Sequence, residues 1–595
     1  MILVFGGTTE GRAAVEVLGA AGKPYYYSTR GEGQVIDCPH GEHVTGAMDA
    51  GQIEVFCREH GVCLLVDAAH PFAVELHRNI AEASKNLGLP VIRYERIYPP
   101  HRPEWVWCDS YDDAIVRLEE RGVRKLLALS GVQTIPRLRA WWRQHPTWFR
   151  VLDRPESRAL ALKYGFPEEK LVYFKEGDDG RLLQELHPDA ILTKESGETG
   201  YFEEKTEAAA QAGVAVFVIK RPVLPEGFYV VNGKQGFRYR VERLLPGFFP
   251  LRTGFTTGTT ACAAAKAALM ALLTGESLER VTVTLPAGED VELSVAALRW
   301  EGKAVTGVVI KDAGDDPDVT NGHEIWATVE WSDLPGVHFK AGKGVGTVAL
   351  PGVGLPVGEP AINPVPRRMI TGEIEKLLQA AGKNRGVWVT ISVPGGEELA
   401  AKTFNPKLGI VGGISILGTS GVVRPFSSEA FVATIRKEIQ VARALGCCHI
   451  VINSGAKSER VLRARFTDLP TQAFIHYGNY IGETLKIATE EGVESVTMGI
   501  MLGKAVKLAE GHADTHSRQV VMNRDFIASL AAQAGCTGEL CDRICQLSLA
   551  RELWTLLPPE HPFFQLIVRK CEEVCHRFYP HGNLELLLIP ELLPD

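Results

Sequence analysis

No run of apolar residues in this sequence reaches the roughly 18 residues that are needed to cross a bilayer. The apolar start is too short for a secretory signal, because glycines and a charged residue follow it closely. A basic excess is also missing: the formal net charge is −8, which argues against a general nucleic-acid binder. We therefore expect a cytoplasmic protein with small-molecule substrates, no membrane span and no nucleic-acid partner.

Cysteine is scarce, with twelve residues scattered along 595 positions and no spacing typical of a secreted disulfide scaffold. Cys541 and Cys545 are four residues apart on a predicted helix, and so are Cys571 and Cys575. Two such helices face to face could hold zinc, but the favoured explanation is that these are small buried residues on apolar helix faces. We expect no bound metal.

The chain is too long for one hydrophobic core, so several domains are expected. Residues 1–246 alternate short apolar runs with helical patterns, which predicts a doubly wound α/β fold with parallel sheets. A proline-rich stretch at 98–103 divides this part into predicted lobes of about 1–97 and 98–246. Ligands of such sheets bind at the strand ends, so we expect a cleft between the lobes.

Prolines and a glycine at 244–250 mark a boundary, and a second domain is predicted over 251–595. Its first part, about 251–425, is rich in glycine and β-type patches. A part of α/β character follows at about 428–521, and the tail from about 522 to 595 reads as mainly helical. This order predicts a mixture of α/β and α+β structure.

A glycine-rich turn follows the first predicted strand and opens a helix. Backbone N–H groups and the helix dipole at such a turn can bind a phosphate. The residues that we expect to contact a dinucleotide here are Gly6, Gly7, Thr8, Thr9, Gly11 and Arg12. The spacing differs from G-x-G-x-x-G, so a plain strand-to-helix turn stays open as the alternative.

The end of the second predicted strand carries Ser28, Thr29 and Arg30 where a binder of NADH usually has an acidic residue. Hydroxyl and guanidinium donors suit an additional ribose phosphate, so the sequence favours NADPH. Glu32 lies close by and leaves NADH open.

Four motifs in order resemble the precorrin-6A reductase family. They are the glycine turn at 6–12, Asp67-Ala-Ala-His-Pro-Phe-Ala73, Thr193-Lys-Glu-Ser-Gly197, and Lys205 followed by Ile219-Lys-Arg-Pro222. The resemblance covers about 1–245 and implies a two-lobed Rossmann-like reductase. It also implies NADPH-dependent reduction of one double bond in a corrin precursor.

Within these motifs, His70 is the candidate catalytic residue, as proton donor to the carbon beside the hydride acceptor. A hydrogen bond within its own turn, before Pro71, is the alternative. Candidate substrate-binding residues are Asp67, Lys194, Ser196, Gly197 and Lys205, of which Lys205 could also be a solvated helix residue.

The carboxy-terminal domain lacks the acidic-x-G-x-G-x-G loop that usually holds S-adenosylmethionine. Its segment 311–322 contains four aspartates, which could bind a divalent cation, face a sulfonium group, or form a solvated turn. Thr256 and Thr257 precede an alanine-rich helix, whose free N–H groups could bind a carboxylate.

Long motifs in this domain resemble the cobalt-precorrin-5B carbon-1 methyltransferase family over about 250–530. They lie at 252–258, 311–322, 358–367, 405–419 and 503–517. One departure is Phe426, where the family more often has methionine, and we expect this difference to have little consequence. The resemblance implies methyl transfer from S-adenosylmethionine to a ring carbon by a protein of non-standard fold.

The resemblance gives a second set of candidate substrate-binding residues. They are Thr256, Thr257, Asp312, Asp315, Asp316, Asn363, Arg367, His512, Thr515 and His516. His512 and His516 have a spacing that can mimic a metal site, but their neighbours suit a loop or helix cap better.

Together the two resemblances imply a bifunctional enzyme of corrin ring biosynthesis. Methylation of cobalt-precorrin-5B would give cobalt-precorrin-6A, and NADPH-dependent reduction would give cobalt-precorrin-6B. The alternative is that one half is catalytic and the other is a tetrapyrrole-binding scaffold. Motif arginines and lysines are expected to balance the substrate carboxylates; they are Arg12, Arg30, Arg93, Arg96, Lys194, Arg221, Arg367 and Arg368. The sequence does not fix the oligomeric state.

Overall fold

The computed structural model describes residues 1–31, 36–517 and 520–590. The chain forms two compact units: unit 1 contains Met1–Arg252 and Thr284–Glu292, and unit 2 contains Thr253–Val283 and Leu293–Asp595. None of the helices within the described ranges combines the length and apolar character that a bilayer crossing requires.

Lobe 1 of unit 1 is a parallel sheet with helices on both faces. Its first elements are β1 (Ile2–Phe5), α1 (Thr9–Gly19), β2 (Tyr25–Thr29), β3 (Gly41–Thr45), α2 (Ala50–Glu59), β4 (Leu64–Asp67), α3 (Val74–Leu87) and β5 (Val91–Glu95). The central strands β1 and β4 are fully buried, which explains their continuous apolar sequences.

Lobe 2 begins after the proline-rich stretch. Its elements are β6 (Val106–Cys108), α4 (Tyr111–Glu120), β7 (Leu126–Ala128), α5 (Arg139–Trp142), β8 (Thr147–Val151), α6 (Pro155–Lys163), β9 (Leu171–Tyr173), α7 (Asp179–Leu186), β10 (Ala190–Lys194), α8 (Phe202–Gln211) and β11 (Ala215–Ile219). The strand order is β6-β11-β10-β7-β8-β9, and the pairs are parallel.

The chain then returns to lobe 1 through β12 (Phe228–Asn232) and α9 (Gly233–Leu244). β12 pairs with β5, so the order in lobe 1 is β12-β5-β4-β1-β2-β3. The predicted extent of lobe 2, 98–246, is therefore wrong at its carboxyl end. β12 is an edge strand with exposed side chains, and its sequence does not indicate that its partner lies over 130 residues upstream. The other five strands of each lobe have the same order, and the lobes differ only in the edge strand, which is β12 in lobe 1 and β6 in lobe 2.

The glycine-rich part of unit 2 is built on a sheet covered by two helices. Its elements are β13 (Gly254–Phe255), α10 (Thr257–Thr274), β14 (Arg280–Thr284), β15 (Asp290–Ser294), β16 (Ala297–Glu301), β17 (Ala304–Ile310), β18 (Glu324–Ser332), β19 (Val337–Ala341), β20 (Gly344–Val345), β21 (Thr347–Val348), α11 (Pro364–Ala380), β22 (Gly386–Ser392), α12 (Gly396–Ala400), β23 (Ile410–Val411), β24 (Gly413–Ile414) and β25 (Val422–Val423). Residues 284–292, which include the end of β14 and the start of β15, belong to unit 1. The main sheet has the order β16-β17-β18-β22-β19. α10 packs so closely on it that a Cβ at Gly307 would lie 2.2 Å from the Ala264 carbonyl oxygen.

The remaining part of unit 2 is a second parallel sheet with helices. Its elements are α13 (Ser428–Ala444), β26 (His449–Asn453), α14 (Ala456–Arg465), β27 (Phe474–His476), α15 (Ile481–Glu490), β28 (Ser495–Met501), α16 (Leu502–Ala509), α17 (Arg524–Gln533), α18 (Gly538–Cys545), α19 (Leu553–Leu556), α20 (Pro562–Cys575) and β29 (Asn583–Ile589). The order is β27-β26-β28-β29. The tail, predicted as mainly helical, thus ends in a strand that pairs with β28. The predicted fold classes, α/β for unit 1 and mixed for unit 2, are confirmed.

Candidate functional sites

The glycine turn between β1 and α1 combines internal packing with an open surface. A Cβ at Gly6 would lie 2.3 Å from the ring of Tyr27, and one at Gly11 would lie 2.9 Å from its hydroxyl. Tyr27 Oη also accepts the Gly7 N–H at 2.9 Å. Gly7 itself has φ of +95°, and a Cβ at this position would meet no atom within 4 Å, so the backbone is open to a ligand there.

Thr8 caps α1 by accepting the Gly11 N–H at 3.1 Å and donates to the Ala68 carbonyl at 2.6 Å. This bond joins the turn after β1 to the loop after β4. The two strands are parallel neighbours, and the chain adds its next strands outward in opposite directions from them: β2 and β3 beyond β1, and β5 beyond β4. Such a switch point at the carboxyl end of a parallel sheet is where ligands bind. Thr9 is exposed at the first turn of α1, whose leading N–H groups have no partner within the helix.

At the end of β2, Ser28 and Thr29 are buried, and Thr29 Oγ1 bonds His43 Nε2 at 2.8 Å. Arg30 is exposed, as is Arg12 on α1. Only the arginines of this predicted group therefore present charged donors to solvent. Glu32 lies outside the described residues.

His70 lies in the loop after β4 with an exposed ring. The Phe72 N–H donates to its Nδ1 at 3.2 Å, so the ring proton lies on Nε2. Desolvation by the surrounding residues, followed by the positive charges of Arg96 and Lys194, lowers the pKa of His70 to about 3. Because the ring is open to solvent, we assign the lowered pKa of His70 mainly to the charges of the two cations. An imidazolium is scarce near neutral pH, which favours a hydrogen-bonding role for Nε2–H over proton donation.

Asp67 was predicted to bind substrate, but its side chain is fully buried. Its carboxylate accepts from His77 Nδ1 at 2.6 Å and from Arg93 at 2.8 Å. Although burial raises the pKa of Asp67, the His77 hydrogen bond and the Arg93 charge hold it below its ordinary value. Arg93 also donates to the Ala69 carbonyl at 2.9 Å. Asp67 and Arg93 therefore fix the loop that carries His70, and neither is free to meet a substrate.

Lys194, at the end of β10 in lobe 2, reaches the His70 loop of lobe 1. Its Nζ lies 5.3 Å from the centroid of the Phe72 ring. The side chain is half-buried, and desolvation followed by the charge of Arg137 lowers the pKa of Lys194 to about 8. Lys194 is thus a cation at the place where the strand ends of the two lobes meet.

The other predicted residues of lobe 2 face their own loop. The Ser196 hydroxyl donates to the Gly200 carbonyl at 3.2 Å, and Lys205 Nζ donates to the same carbonyl at 2.6 Å. Lys205 is buried and is not a solvated helix residue. A Cβ at Gly197 would lie 2.9 Å from the Ile97 carbonyl oxygen, so glycine is needed for packing. These residues shape the loop after β10.

Glu10 and Arg96, which the sequence motifs do not mark as a pair, connect the two lobes. Arg96 donates to Glu10 at 3.2 Å and to the Ser196 carbonyl at 2.7 Å. Thr199 donates to the second carboxylate oxygen of Glu10 at 2.7 Å. Glu10 is buried, although it lies in the first turn of α1 beside the exposed Thr9. An acidic residue within a turn of the phosphate-binding type is the sequence feature that could have indicated this role.

In unit 2, three motif segments meet at the start of α10. The Phe255 N–H donates to the Asp312 carbonyl at 2.7 Å, and the Thr256 N–H donates to the Gly421 carbonyl at 3.1 Å. A Cβ at Gly254 would lie 2.1 Å from the backbone of Ala313. Segments 253–258, 311–316 and 416–426 therefore form one continuous backbone cluster.

The start of α10 is less open than predicted. The Gly258 N–H donates to the Leu417 carbonyl at 2.8 Å, and the Thr259 N–H donates to Thr256 Oγ1 at 3.2 Å. Thr257 Oγ1 accepts from the buried Lys311 at 3.1 Å. The hydroxyls of Thr256 and Thr257 are therefore occupied within the protein, and the expectation of several free N–H donors for a carboxylate is wrong.

The aspartate loop is held by its own residues and neighbours. Lys311 pairs with Asp318, Asp312 Oδ1 accepts the Gly314 N–H at 3.0 Å, and Asp316 accepts the Phe426 N–H at 3.2 Å. Burial raises the pKa of Asp316. Asp315 is exposed. Across the described ranges, no group of three or more His, Cys, Asp and Glu side chains is arranged to hold a metal ion.

Asn363 precedes α11 and makes no side-chain cap bond with that helix, while its N–H donates to the Ile416 carbonyl at 3.0 Å. It therefore borders the same cluster. Arg367, predicted to bind substrate, turns back to the preceding segment: it donates to the Ile362 carbonyl at 2.8 Å and to Glu359 at 3.0 Å.

The predicted histidine segment packs on the residues that follow β27. The Thr515 N–H donates to the Asn479 carbonyl at 3.1 Å, and Thr515 is buried. His512 is exposed beside Glu510, whereas the His516 N–H donates to Asp514 Oδ1 at 2.9 Å. This is loop-type bonding, and it agrees with the loop reading of the two histidines.

Comparison with known proteins assigns both regions. Residues 1–238 match the family model described as precorrin-6x reductase CbiJ/CobK, residues 247–425 match CbiD, and residues 514–589 match the CbiD carboxy-terminal domain. A cobalt-precorrin-5B C(1)-methyltransferase of Geobacillus kaustophilus (strain HTA426) is 46% identical over 323 residues, covering 54% of this chain and 87% of that relative. The chain belongs to the cobalt-precorrin-5B C(1)-methyltransferase family.

Two solved structures are also similar to parts of the chain. The cobalamin biosynthesis protein (cbiD) of Archaeoglobus fulgidus is 34% identical, covering 45% of this chain and 83% of that chain with a TM-score of 0.26. A CobK precorrin-6A reductase is 22% identical, covering 41% of this chain and 97% of that chain with a TM-score of 0.35. The predicted assignments, a reductase-family region followed by a methyltransferase-family region of cobalamin biosynthesis, are confirmed. The chain is an enzyme that joins the two.

Proposed function

We propose that the methyltransferase region methylates cobalt-precorrin-5B at ring carbon 1 with S-adenosylmethionine, giving cobalt-precorrin-6A. The reductase region then reduces this product with NADPH to cobalt-precorrin-6B. The observation that carries the proposal is that each family-matched region brings several of its separate motifs together. In unit 1 these are the strand ends around Gly7, His70 and Lys194, and in unit 2 the segments around the start of α10.

The residues at the end of β1 fit a dinucleotide. Gly7 leaves the backbone open, and it immediately precedes Thr8, the N-cap of α1, so a phosphate there would lie beside a helix N-terminus. A pyrophosphate would be held there, with Arg30 reaching the additional phosphate of NADPH. When bound, the nicotinamide supplies a hydride, so one proton must come from another group to complete the addition of two hydrogens.

Lys194 and His70, which the contact of Lys194 with the Phe72 ring brings near each other, are the groups that would face the reacting ring in this proposal. With a pKa of about 8, Lys194 is largely charged at neutral pH and would bind a carboxylate side chain of the substrate. His70 Nε2–H would donate a hydrogen bond to the ring or its substituents. The fixed loop between Asp67 and His77 keeps His70 in place.

In the methyltransferase region the methyl donor supplies an electrophilic methyl group, and the protein must hold the ring carbon in line with it. Asn363, which borders the α10 cluster, and Asp315, which is exposed, are the proposed contacts with the substrate or the methyl donor. Thr256, Thr257, Asp312 and Arg367 act instead by shaping the cluster.

Anaerobic mass spectrometry of the purified chain tests both activities. Cobalt-precorrin-5B is incubated with both cofactors and with each cofactor omitted in turn. The proposal expects a gain of one methyl group that requires S-adenosylmethionine, followed by a gain of two hydrogens that requires NADPH. Methyl gain without reduction would make unit 1 a scaffold. No change would contradict the methyltransferase assignment, because the substrate of the reductase region would then never form, and reduction without methyl gain would contradict the proposed order of the two reactions.

The Arg30→Ala variant tests the choice of cofactor. Losing the guanidinium should lower kcat/KM for NADPH by about 10-fold or more, since a charged hydrogen bond contributes about 1.5–3 kcal/mol, and should leave kcat/KM for NADH nearly unchanged. Arg58→Ala, whose side chain is 62% exposed on α2, is the control. Equal losses with the two cofactors would contradict the assignment of Arg30.

A further inference from the structure

An exposed aromatic side chain stands beside the α10 cluster of unit 2. Phe426 is 72% exposed, and it immediately precedes Ser427, the N-cap of α13. Its backbone has φ of +57°, a conformation that is unfavourable for a residue with a Cβ. The protein therefore keeps an unfavourable backbone conformation at a position where the phenyl ring gains no burial to offset it.

The usual structural role for a hydrophobic residue at this place does not apply. A residue before an N-cap commonly packs on the residue four positions into the helix, which here is Phe431. Phe431 instead makes ring contacts with His476 and Tyr480. The ring of Phe426 remains open to solvent, so helix capping does not explain it.

The strained conformation is held by a motif residue. The Phe426 N–H donates to Asp316 Oδ2 at 3.2 Å, so the aspartate loop fixes the position of the ring. Strain of this kind is found at binding and catalytic sites, where the surrounding structure overcomes its cost. Asp316 therefore positions Phe426. This role differs from the three alternatives for the aspartate loop, which were a cation site, a contact with a sulfonium group and a solvated turn.

The surroundings match a flat, anionic ligand. Leu417, 48% exposed, belongs to the same cluster through its carbonyl bond to Gly258, and it adds a second apolar surface. Arg424 is exposed two residues before Phe426 and adds a positive charge. A tetrapyrrole has broad apolar faces and carboxylates at its rim, which suit an aromatic face with a nearby guanidinium.

We propose that Phe426 is a substrate-binding residue that stacks on the face of the tetrapyrrole macrocycle in the methyltransferase region. This inference rests on the proposed methylation, and it adds a residue that binds the face of the substrate. The ring stacks while Asp316 holds the backbone, so substrate affinity depends on the aromatic group and on the carboxylate behind it.

The test uses the opposite consequences of replacing Phe426 with glycine. Phe426→Gly removes both the ring and the backbone strain, so the thermal midpoint should stay equal or rise. The KM for cobalt-precorrin-5B in anaerobic methyl transfer should rise about 10-fold or more, in line with the loss of stacking on an aromatic side chain. The KM for S-adenosylmethionine should not change. Phe426→Trp should retain tight binding, and Trp300→Ala, at another exposed aromatic of unit 2, should have no effect.

Equilibrium dialysis of the full chain against cobalt-precorrin-5B without methyl donor separates this inference from the proposed function. Weaker binding by Phe426→Gly than by the parent supports the inference even if no methyl transfer is detected. An unchanged dissociation constant and an unchanged KM in Phe426→Gly would overturn it while the methylation stands. Equal losses with Phe426→Trp and Phe426→Gly would also overturn it, because stacking requires only a flat ring.

Discussion

At the scale of single residues, the predicted site side chains divide into those that face solvent and those that face the protein. Gly7, Arg30 and Lys194 are accessible to a ligand, whereas Asp67 and Thr257 have their polar atoms occupied internally. A motif marks a residue that the site requires, but it does not show whether the side chain contacts the ligand or holds other residues of the site in place. Only the partners of each polar atom decide that.

The pKa of Lys194 predicts a pH dependence of reduction. Its ammonium is charged below about pH 8 and loses its charge above it, so kcat/KM for the tetrapyrrole should fall as the pH rises through that value. Lys194→Arg, which keeps its charge, should remove this fall from the range up to about pH 10. The measurement is kcat/KM for reduction as a function of pH in both proteins.

His70 gives the matched control for this experiment. Since its pKa is held near 3, titration of His70 should add no change in kcat/KM around pH 6–7. A fall in kcat/KM that persists in Lys194→Arg would contradict the assignment.

The lowered pKa of Lys194 also predicts how the stability of the chain depends on pH. The folded chain binds the Lys194 proton less tightly than the unfolded chain does, so the free energy of unfolding should rise between about pH 8 and 10.5.

At the scale of elements, the buried strands were predictable within one or two residues, because continuous apolar runs mark them. The sequence predicts strands at Ile2–Phe5 and Leu64–Asp67, and these are the bounds of β1 and β4. β12 and β29 were not predicted, since both are edge strands whose partners are distant in sequence. The repeated strand order of the two lobes left no repeat in the sequence, because many sequences satisfy the same pattern of burial.

The buried ion network at the ends of β4 and β5 gives a prediction about stability. Arg93→Met leaves Asp67 and Glu95 buried without their cation and should destabilise unit 1 by about 3–5 kcal/mol. Hydrogen exchange of the β4 and β5 amides, measured by mass spectrometry in the full chain, reports the loss. Arg58→Met on the surface should cost less than about 0.5 kcal/mol. Equal exchange in the two variants would show that the network does not stabilise the strands.

At the scale of the whole molecule, the division into units does not follow the chain at one point. Residues 284–292 belong to unit 1, although the chain on both sides of them belongs to unit 2. Within unit 1, the Glu289 carboxylate accepts N–H groups of Lys234 at 3.0 Å and Gln235 at 2.8 Å at the start of α9. A fragment that ends at residue 252 would lack this cap.

Glu289→Ala should therefore destabilise α9 by about 0.5–2 kcal/mol, the usual loss for a helix cap. Faster hydrogen exchange in the first turns of α9 of the full chain would show it. Glu276→Ala, an exposed acid elsewhere in the chain, is the matched control. Unchanged exchange in Glu289→Ala would mean that water satisfies these N–H groups equally well.

The sequence by itself determined the succession of a reductase-family and a methyltransferase-family region, the parallel α/β character of unit 1, and the motif residues. These follow from local patterns and spacing, which are properties of the chain before it folds. The tertiary structure alone decided which motif side chains are occupied inside the protein, that β12 returns to lobe 1, and that Asp316 holds Phe426 in a strained, exposed position. Each of these depends on contacts between residues far apart in sequence, and burial and hydrogen bonding exist only once those residues meet.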